Sequence, residues 1–285
     1  MSWSYENKVI VITGAGGNFG REGCLYFARR GAKVVAMDMN VAALEETALY
    51  VREELQAAEK APSEVFVAPC DVTDAASVQN AVDSAVERFL RIDLLWNNAG
   101  YQGHIKPTLE YDPKDFALVM NVNVTGMFIV LQTVAKQMVK QQQEINDSGS
   151  SCYSIVNTSS VAGLRGTPAM VAYASSKAAV LAMTVSTSKD LAPKGIRVNA
   201  ISPALIGPGF MWDRQNELHA TSNSPYFATD PETVAKNKIN SVPMKRLGTI
   251  EEVIRSVSFL LSPESSYTNG TNLVVDGGMS SGLKC

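Results

Sequence analysis

Three residues between positions 160 and 177 have the types and spacing of a proton-transfer site. Ser160 is followed by Tyr173, and Lys177 comes four residues after the tyrosine. Residues four apart lie on one face of a helix, so we expect the tyrosine and lysine side chains to be neighbours. A free tyrosine with a pKa near ~10 is a poor base at neutral pH, but an adjacent ammonium group favours the phenolate. With Ser160 to bond a substrate oxygen, this set would move a proton at an alcohol or carbonyl group.

A glycine-rich turn near the start of the chain is the candidate site for a phosphate group. The stretch VITGAGGNFG, residues 11–20, departs from the pattern G-x-G-x-x-G at Phe19 and from T-G-x-x-x-G-x-G at Asn18. We expect a helix from Asn18 to Arg30, whose first backbone N–H groups would attract a pyrophosphate. Asparagine enters the left-handed region more readily than most residues and is a favoured helix N-cap, so the turn should tolerate it. An ordinary glycine-rich loop is the alternative.

A carboxylate lies about twenty residues after this turn. Asp38 ends the second strand-like run, where an acidic side chain can accept both ribose hydroxyls of NAD and would repel the 2′-phosphate of NADP. The alternative is that Asp38 is a turn residue at the end of a strand.

Short runs rich in β-branched residues alternate with helical patterns along the chain. The strand-like runs, each closed by a turn signal, are KVIVIT, AKVVAMD, EVFVAPCD, IDLLWNNAG, SIVNTSS, IRVNAISP and NLVVDGG. Between them, ASVQNAVDSAVERFL places its apolar residues on one helical stripe. We therefore predict an α/β fold with a single Rossmann-type, doubly wound parallel sheet and helices on both faces. Residues 1–285 should form one domain, with a substrate-binding segment at about 203–245.

Composition and charge exclude several classes of protein. The formal net charge is −3 and the basic residues are scattered, so neither nucleic acid nor an anionic membrane is an expected partner. We expect no apolar run that approaches membrane-spanning length, and the polar start of the chain predicts no targeting segment. The charged stretch EETALYVREELQAAEK and the polar loop KQQQEINDSGSSC are interpreted as solvated surface.

The cysteines and histidines do not form a metal-binding pattern. No C-x-x-C occurs, and the two histidines stand far apart, so we predict no metal and a reducing, cytoplasmic setting. The residues concerned are Cys24, Cys70, Cys152, Cys285, His104 and His219.

From Lys8 to the VVDGG at 274–278, the chain resembles the short-chain dehydrogenase/reductase family. The motifs that carry the resemblance are the glycine turn, the NNAG at 97–100, and the serine, tyrosine and lysine. It implies a catalytic tetrad of Asn123, Ser160, Tyr173 and Lys177, with Asn121 as a competing position for the asparagine. It also implies an NAD-binding set, namely Gly14, Asn18, Phe19, Gly20, Asp38, Met39, Asp71, Val72, Asn98, Ala99, Gly100, Tyr173, Lys177 and Ile206.

Three positions depart from the pattern of the family. Asn18 stands in place of a glycine, Ala204 replaces the glycine of a usual Pro-Gly pair, and Pro208 replaces a threonine that commonly bonds the cofactor. Proline has neither a hydroxyl nor an N–H group, which puts the cofactor contacts of that loop in question.

Within the family, the stretches TGAGGN, NNAGYQG, GPGFMW and SVPM resemble bacterial short-chain xylitol dehydrogenases. This likeness implies NAD-dependent interconversion of a secondary alcohol and a ketone, with xylitol and D-xylulose as the leading pair. The predicted substrate residues are Ser160, Gln102, His104, Met211 and Trp212, with Tyr226 and Phe227 as further candidates for the pocket wall. A hydrophobic lid or a subunit contact is the alternative explanation of the apolar residues Met211, Trp212, Tyr226 and Phe227. Gln102 and His104 as solvated loop residues, beside an apolar pocket for a larger alcohol or ketone, are the alternative.

Two other functions remain open at this stage. One is a reductase of 3-oxoacyl chains, which would favour NADPH and a basic surface, and the other is a non-catalytic NAD(H)-sensing protein on the same fold. The resemblance further implies a homotetramer, or a dimer, built through the helices near 112–140 and 170–192. The expected partner is a small-molecule substrate.

Overall fold

The computed structural model describes residues 3–59, 64–145 and 153–281. Within these ranges, seven strands form one sheet in the order β3-β2-β1-β4-β5-β6-β7, and every pair is parallel. The strands are β1 Val9–Thr13, β2 Lys33–Asp38, β3 Val65–Pro69, β4 Leu94–Asn97, β5 Tyr153–Thr158, β6 Ile196–Pro203 and β7 Asn272–Val275. All seven strand-like runs of the sequence are strands, and the predicted fold class is confirmed.

Helices connect the strands and cover both faces of the sheet. In the described part of the chain they are α1 Asn18–Ala28, α2 Val41–Ala57, α3 Ala75–Phe89, α4 Pro113–Met120, α5 Met127–Ile145, α6 Ala162–Arg165, α7 Val171–Leu191, α8 Phe210–Ala220, α9 Pro231–Ser241 and α10 Ile250–Leu261. Most of the charged stretch after residue 44 lies in α2, whose inner side, including Val51 and Leu55, is buried, and its last residue lies outside the described residues. Part of the polar loop before β5 lies outside the described residues.

Two apolar layers hold the helices on the sheet. On one face, residues of α1, α2 and α10 pack with strand residues such as Ile10, Val34 and Trp96. On the other face, residues of α3 and α5 pack with Val11, Val35 and others. Strand side chains alternate between the two layers because successive residues of a strand point to opposite faces. The sheet is therefore covered on both sides, as the alternation of strands and helices predicted.

The expectation that no apolar run approaches membrane-spanning length was wrong for one helical stretch. The helical stretch Pro113–Gln143 has 31 residues. By its length and composition alone, it is long and apolar enough to cross a membrane. Within its most apolar window, 44% of the residues are buried inside the protein, and Val130, Val134 and Met138 belong to one of the two core layers. Core helices of soluble proteins pass the same test, so this property alone is weak evidence for a membrane span.

The strand order reverses between β1 and β4. From β1 the chain runs outward to β2 and β3, and then returns to the other side of β1 with β4. A crevice opens at the carboxyl ends of the strands at such a point, and ligands of open α/β sheets bind there. The glycine turn follows β1 and the NNAG segment begins in β4, so both flank this crevice.

Candidate active site

The glycine turn leads directly from β1 into α1. Gly17, in an extended conformation, is the residue that precedes the helix, and no side chain of the described residues caps it. Asn18 is the first helical residue, and it neither has a positive φ nor caps the helix. The predicted reason why the turn tolerates an asparagine at this position was therefore wrong. The helix start lacks a side-chain acceptor, which leaves its N–H groups available to an anion.

Two glycines of this turn are required by close approach of the backbone. A Cβ on Gly20 would lie 2.2 Å from the carbonyl oxygen of Gly14. Gly14 has a φ of +68°, and a Cβ there would lie 3.0 Å from the Cα of Ala99. The turn therefore packs against the loop that follows β4 with no room for side chains, which is the geometry of a backbone cradle.

Thr13, at the end of β1, joins the turn to the loop after β4. Its hydroxyl accepts hydrogen bonds from the backbone N–H groups of Asn98 and Ala99, both at 2.9 Å. The side-chain amide of Asn98 donates to the carbonyl oxygen of Thr13 at 3.2 Å. Sequence reasoning missed Thr13, although its place beside Gly14 was a signal that could have pointed to it.

Asp38 stands at the end of β2, beside the glycine turn. Its carboxylate accepts from the N–H groups of Gly16 and Asn40, each at 3.0 Å. The side chain is half-buried and lines the same cavity as the turn. An acidic group here can hydrogen-bond a pair of ribose hydroxyls and disfavours a phosphate in their place.

A cavity of about 400 Å³ runs from the turn to the tyrosine. Of the residues predicted to bind cofactor or substrate, it is lined by Gly14, Asn18, Phe19, Asp38, Asn98, Ala99, Gly100, Gln102, Ser160, Tyr173, Lys177, Ile206, Met211 and Trp212. Its wall also contains Ala204 and Pro208, two of the departures from the family pattern. Because the helix start lies beside the cavity and Asp38 in its wall, its shape and polarity suit a dinucleotide.

Several predicted contacts lie away from this wall. Met39 is largely exposed, and the exposed Asp71 bonds the N–H and hydroxyl of Thr73. Val72 packs against the position where a Cβ of Gly126 would be. Gly20 shapes the turn from behind rather than facing the cavity.

Lys177 and Tyr173 lie next to each other on α7, as the spacing predicted. The Lys177 Nζ is 5.6 Å from the centre of the Tyr173 ring and donates to the carbonyl oxygen of Thr158 at 2.8 Å. Lys177 is buried, and burial lowers its pKa to about 8. The Ser160 hydroxyl lies on the same wall and accepts from the N–H of Ala162 at 3.2 Å.

The pKa of Tyr173 differs from the sequence expectation. Burial raises it above the ordinary value, and a hydrogen bond with Ser160 opposes that rise. Desolvation of the phenolate therefore outweighs the hydrogen bond with Ser160 in this structure. The serine is thus an electrostatic partner of the tyrosine as well as a group that could hold a substrate oxygen.

Asn123 lies in a π-helical turn, Asn121–Gly126, between α4 and α5. Its side chain is fully buried; the oxygen accepts from the N–H of Tyr101 at 2.7 Å, and the amide donates to the carbonyl oxygen of Tyr101 at 2.8 Å and to the Ser176 hydroxyl at 2.9 Å. Asn121 is exposed, so the geometry favours Asn123. Wide turns of this kind occur often at functional sites.

Asn123 lies close to Gly100, which lines the cavity. A Cβ on Gly100 would lie 3.2 Å from the Asn123 oxygen and 3.5 Å from the Lys177 Nζ. Gly100 therefore lies close to both Asn123 and Lys177, and Lys177 shares the cavity wall with Ser160 and Tyr173. Ser176, which anchors the asparagine, was not singled out from the sequence, because only the folded chain brings the two together.

The predicted substrate residues do not all face the cavity. Gln102 does, and Gln215 of α8 donates to its side-chain oxygen at 3.4 Å. The side chain of His104 is 61% exposed and lies 3.7 Å from Asp115, outside the cavity wall. His104 was therefore placed wrongly, because the loop turns it toward solvent.

A second cavity of about 410 Å³ shares Ser160, Tyr173 and Gln215 with the first. Its far wall comes from α8, α9 and the loop between them, with Tyr226 and Phe227 among the lining residues. Both lie in the segment 203–245 that was predicted to bind substrate. Among the residues that the structure describes, no cluster of histidine, cysteine and carboxylate side chains could hold a metal ion.

Comparisons with known proteins agree with this arrangement. Residues 14–280 match the family model described as Enoyl-(Acyl carrier protein) reductase. A crystal structure of NAD⁺-bound xylitol dehydrogenase is 46% identical, with a TM-score of 0.89 over 97% of this chain and 100% of that one. The 3-oxoacyl-(acyl-carrier-protein) reductase of Thermotoga maritima is 35% identical over 96% of this chain and 98% of its own.

Levodione reductase of Leifsonia aquatica is 34% identical over 97% of this chain and 95% of its own. The likeness thus extends over nearly the whole chain and includes enzymes with different printed substrates. Together with the parallel sheet, the glycine turn and the grouped asparagine, serine, tyrosine and lysine, these matches show that the chain belongs to the short-chain dehydrogenase/reductase family.

Proposed function

We propose that this protein is an NAD-dependent dehydrogenase that interconverts a secondary alcohol and a ketone. The observation that carries the proposal is the grouping of Ser160, Tyr173 and Lys177 on the wall of a cavity that also reaches the glycine turn and Asp38. The 46% identical xylitol dehydrogenase, which was crystallised with NAD⁺, supports the same cofactor here.

Four residues of this chain have different roles in such a reaction. When bound, NAD supplies the hydride acceptor. The Tyr173 hydroxyl oxygen takes the proton of the substrate alcohol as a general base, while the Ser160 hydroxyl holds the same oxygen. The Lys177 ammonium stabilises the phenolate and would hold the nicotinamide ribose of bound NAD. Asn123, fixed by Tyr101 and Ser176, organises a water through which the proton leaves.

The position of Asp38 leads to an expected cofactor preference. NAD should be preferred over NADP by at least about tenfold in kcat/KM, which corresponds to ~1.4 kcal/mol, because the carboxylate repels a 2′-phosphate. Asp38→Asn should narrow this ratio, whereas Asp83→Asn, an exposed change on α3, should leave it unaltered. Steady-state rates with both cofactors measure the ratio. Equal efficiency in the unaltered protein would mean that Asp38 does not reach the ribose.

We further propose that the substrate is a small polyhydroxylated alcohol or its ketose, with xylitol and D-xylulose as the leading pair. The side-chain nitrogen of Gln102 is buried and has no hydrogen-bond partner among the described residues. Together with Gln215, it offers polar groups to hydroxyls close to Ser160. An apolar alcohol would leave such groups unpaired, at a cost of about 1–3 kcal/mol for each.

A substrate panel tests this class. We expect xylitol to be oxidised with a higher kcat/KM than a hydrophobic secondary alcohol of similar size, with sorbitol between them, because a site built to bond hydroxyls rejects analogues that lack them. If the hydrophobic alcohol is better, the exposed Met211 and the buried Trp212 define an apolar site, and only the dehydrogenase assignment stands. Tight NADH binding without turnover of any alcohol or ketone would indicate a sensor.

We also propose a cytoplasmic homotetramer, or a dimer. Leu118 and Phe128, on α4 and α5, and Val185 on α7 expose large apolar side chains, which copies of the chain could cover. Cys24 and Cys70 are free and buried, which suits a reducing compartment.

A further inference from the structure

We propose that the second cavity is an anion site, and that the alcohol oxidised by this enzyme carries a carboxylate or phosphate at the end remote from the reacting carbon. The inference rests on the proposed dehydrogenase function and narrows its substrate class to acidic polyols. Neutral xylitol would then occupy the site without using its far wall.

The first observation is a buried histidine in that wall. His219, near the end of α8, is 2% exposed, and its Nε2 has no hydrogen-bond partner among the described residues. The Phe227 ring lies 4.2 Å from the imidazole ring and screens it from solvent. Burial and the neighbouring Lys238 lower the pKa of His219 to about 4, so the imidazole is neutral at physiological pH. A buried ring nitrogen without a partner is costly unless a ligand completes it.

The second observation is the lysine beside it. The Lys238 Nζ, on α9, donates to the side-chain oxygen of Asn216 at 2.8 Å and lies 3.0 Å from the His219 Nδ1. It also lies 5.3 Å from the Trp212 ring. Burial lowers its pKa to about 8, so most of it is charged at pH 7. The contacts that the structure describes for this cation, Asn216, His219 and Trp212, are all neutral.

The charged side chains among the described residues of the cavity wall are all cations. The described residues that line it include two cations, Arg165 and Lys238, and no aspartate or glutamate. A half-buried ammonium group without a counter-charge is unfavourable, and an anionic ligand would supply that charge. A neutral hydroxyl group would fill the cavity but would leave the Lys238 ammonium without a counter-charge. The wall therefore favours a carboxylate or phosphate oxygen.

The histidine can add a directed hydrogen bond to the same ligand. Its Nδ1 is 2.7 Å from the Gln215 carbonyl oxygen and 3.0 Å from the Lys238 Nζ, and it can satisfy only one of them at a time. When Nδ1 accepts from the ammonium, the proton of the neutral ring is on Nε2, which then donates to an anion. An anionic ligand thus selects the tautomer in which the lysine and histidine act together.

The position of the cavity relates the anion to the chemistry. Ser160 and Tyr173 line both cavities, and Gln215 lies at the boundary between them. A substrate with its reacting carbon at Tyr173 can therefore extend past Gln215 toward His219 and Lys238. Ser160 and Tyr173 fit the reacting alcohol, and Gln215 fits the intermediate hydroxyls. His219 and Lys238 fit the terminal anion.

Matched substrates test the inference. Xylitol, D-xylonate and xylitol 5-phosphate share the hydroxylated chain and differ at one end. We expect at least one of the two anions to exceed xylitol in kcat/KM by about tenfold or more, since charge-assisted hydrogen bonds are roughly twice as strong as neutral ones. Which of the two is better distinguishes a carboxylate site from a phosphate site.

Variants locate the effect. Lys238→Met should abolish the preference for the anion while changing kcat/KM for xylitol much less, and Lys238→Arg should retain the preference because the charge remains. Lys236→Met, an exposed change on the same helix, is the matched control. Thermal unfolding of each variant shows whether it folds.

The outcomes separate the two proposals. Xylitol equal to or better than both anions in the unaltered enzyme, or an equal loss for all three substrates in Lys238→Met, would overturn the anion site. If the unaltered protein oxidises none of the three, the proposed polyol substrate class fails on its own, and the dehydrogenase assignment then depends on turnover of another alcohol or ketone. Calorimetric binding of D-xylonate to the NADH-bound protein, with and without Lys238→Met, then decides whether the cavity binds anions.

Discussion

Tyr173→Phe is expected to lower kcat by about 10²–10⁴-fold, the range that a positioned general base contributes. The ring remains in its place on α7, and only the hydroxyl that takes the proton is lost. The Ser160 hydroxyl, which hydrogen-bonds Tyr173, has no base to pass a proton to and cannot replace it. NADH affinity should stay close to that of the unaltered protein, because the glycine turn and Asp38 are untouched. Steady-state kinetics and a fluorescence titration with NADH measure the two quantities.

Tyr153→Phe is the matched control for this change. Tyr153 is a fully buried tyrosine on β5, and its hydroxyl has no hydrogen-bond partner in the described part of the chain. Removing that hydroxyl deletes no bond seen in the structure and leaves the active site intact. If Tyr173→Phe instead keeps more than a tenth of the original kcat, Tyr173 is not the base.

Lys177→Met is expected to reduce kcat/KM by about 10²-fold or more, at the lower end of the general-base range, because the phenolate loses its cation. Lys177 is the only lysine or arginine among the described residues that line the first cavity. Since burial already raises the pKa of Tyr173, the phenolate would have no remaining charge to offset its desolvation. Kinetics at several pH values should show the optimum move upward in the variant.

The same substitution should make the folded protein more stable at pH 7. The ordinary pKa of lysine is 10.5 and that of Lys177 in the folded chain is about 8, so the cost of burying its charge is fully present below pH 8. Between these values the unfolded chain holds a proton that the folded chain does not, so the unaltered protein gains stability as pH rises. The advantage of the methionine variant in melting temperature should therefore shrink from pH 8 toward 10.5.

Lys189→Met, an exposed change on the same helix, provides the comparison for stability. An exposed lysine has no cost of charge burial that a substitution could remove. The melting temperature of Lys189→Met should therefore follow that of the unaltered protein from pH 7 to 10.5. A constant gap between Lys177→Met and the unaltered protein from pH 7 to 10 would show that Lys177 is not buried as a cation.

Local patterns in the sequence were sufficient for the fold. Each strand is a short β-branched run closed by a turn signal, and a helix such as α3 carries an apolar stripe, so the order of elements could be read without knowing any contact. The spacing of Tyr173 and Lys177 was equally informative, since both lie on one helix. Residues within one element were predicted well because their geometry is fixed by that element.

Contacts between distant segments were not predictable in this way. Thr13 bonds the loop after β4, Ser176 anchors Asn123, and Lys238 meets His219, and in each case the partners lie on different elements. The burial that raises the pKa of Tyr173 also depends on how those elements pack. His104 showed the opposite error, because its position in the sequence near Gln102 did not determine which way the loop turns its side chain.

The π-helical turn before α5 has a geometric consequence for the whole molecule. A π-turn contains one more residue than an α-turn, and each residue of an α-helix advances the side-chain direction by about 100°. The two halves of this long helical rod are therefore out of phase by roughly that angle. The first half faces α7, which carries Tyr173, and the second faces α3 and β4. Asn123 lies at the angular offset, so a single rod both supports the sheet and places a buried amide close to Gly100 of the cavity wall.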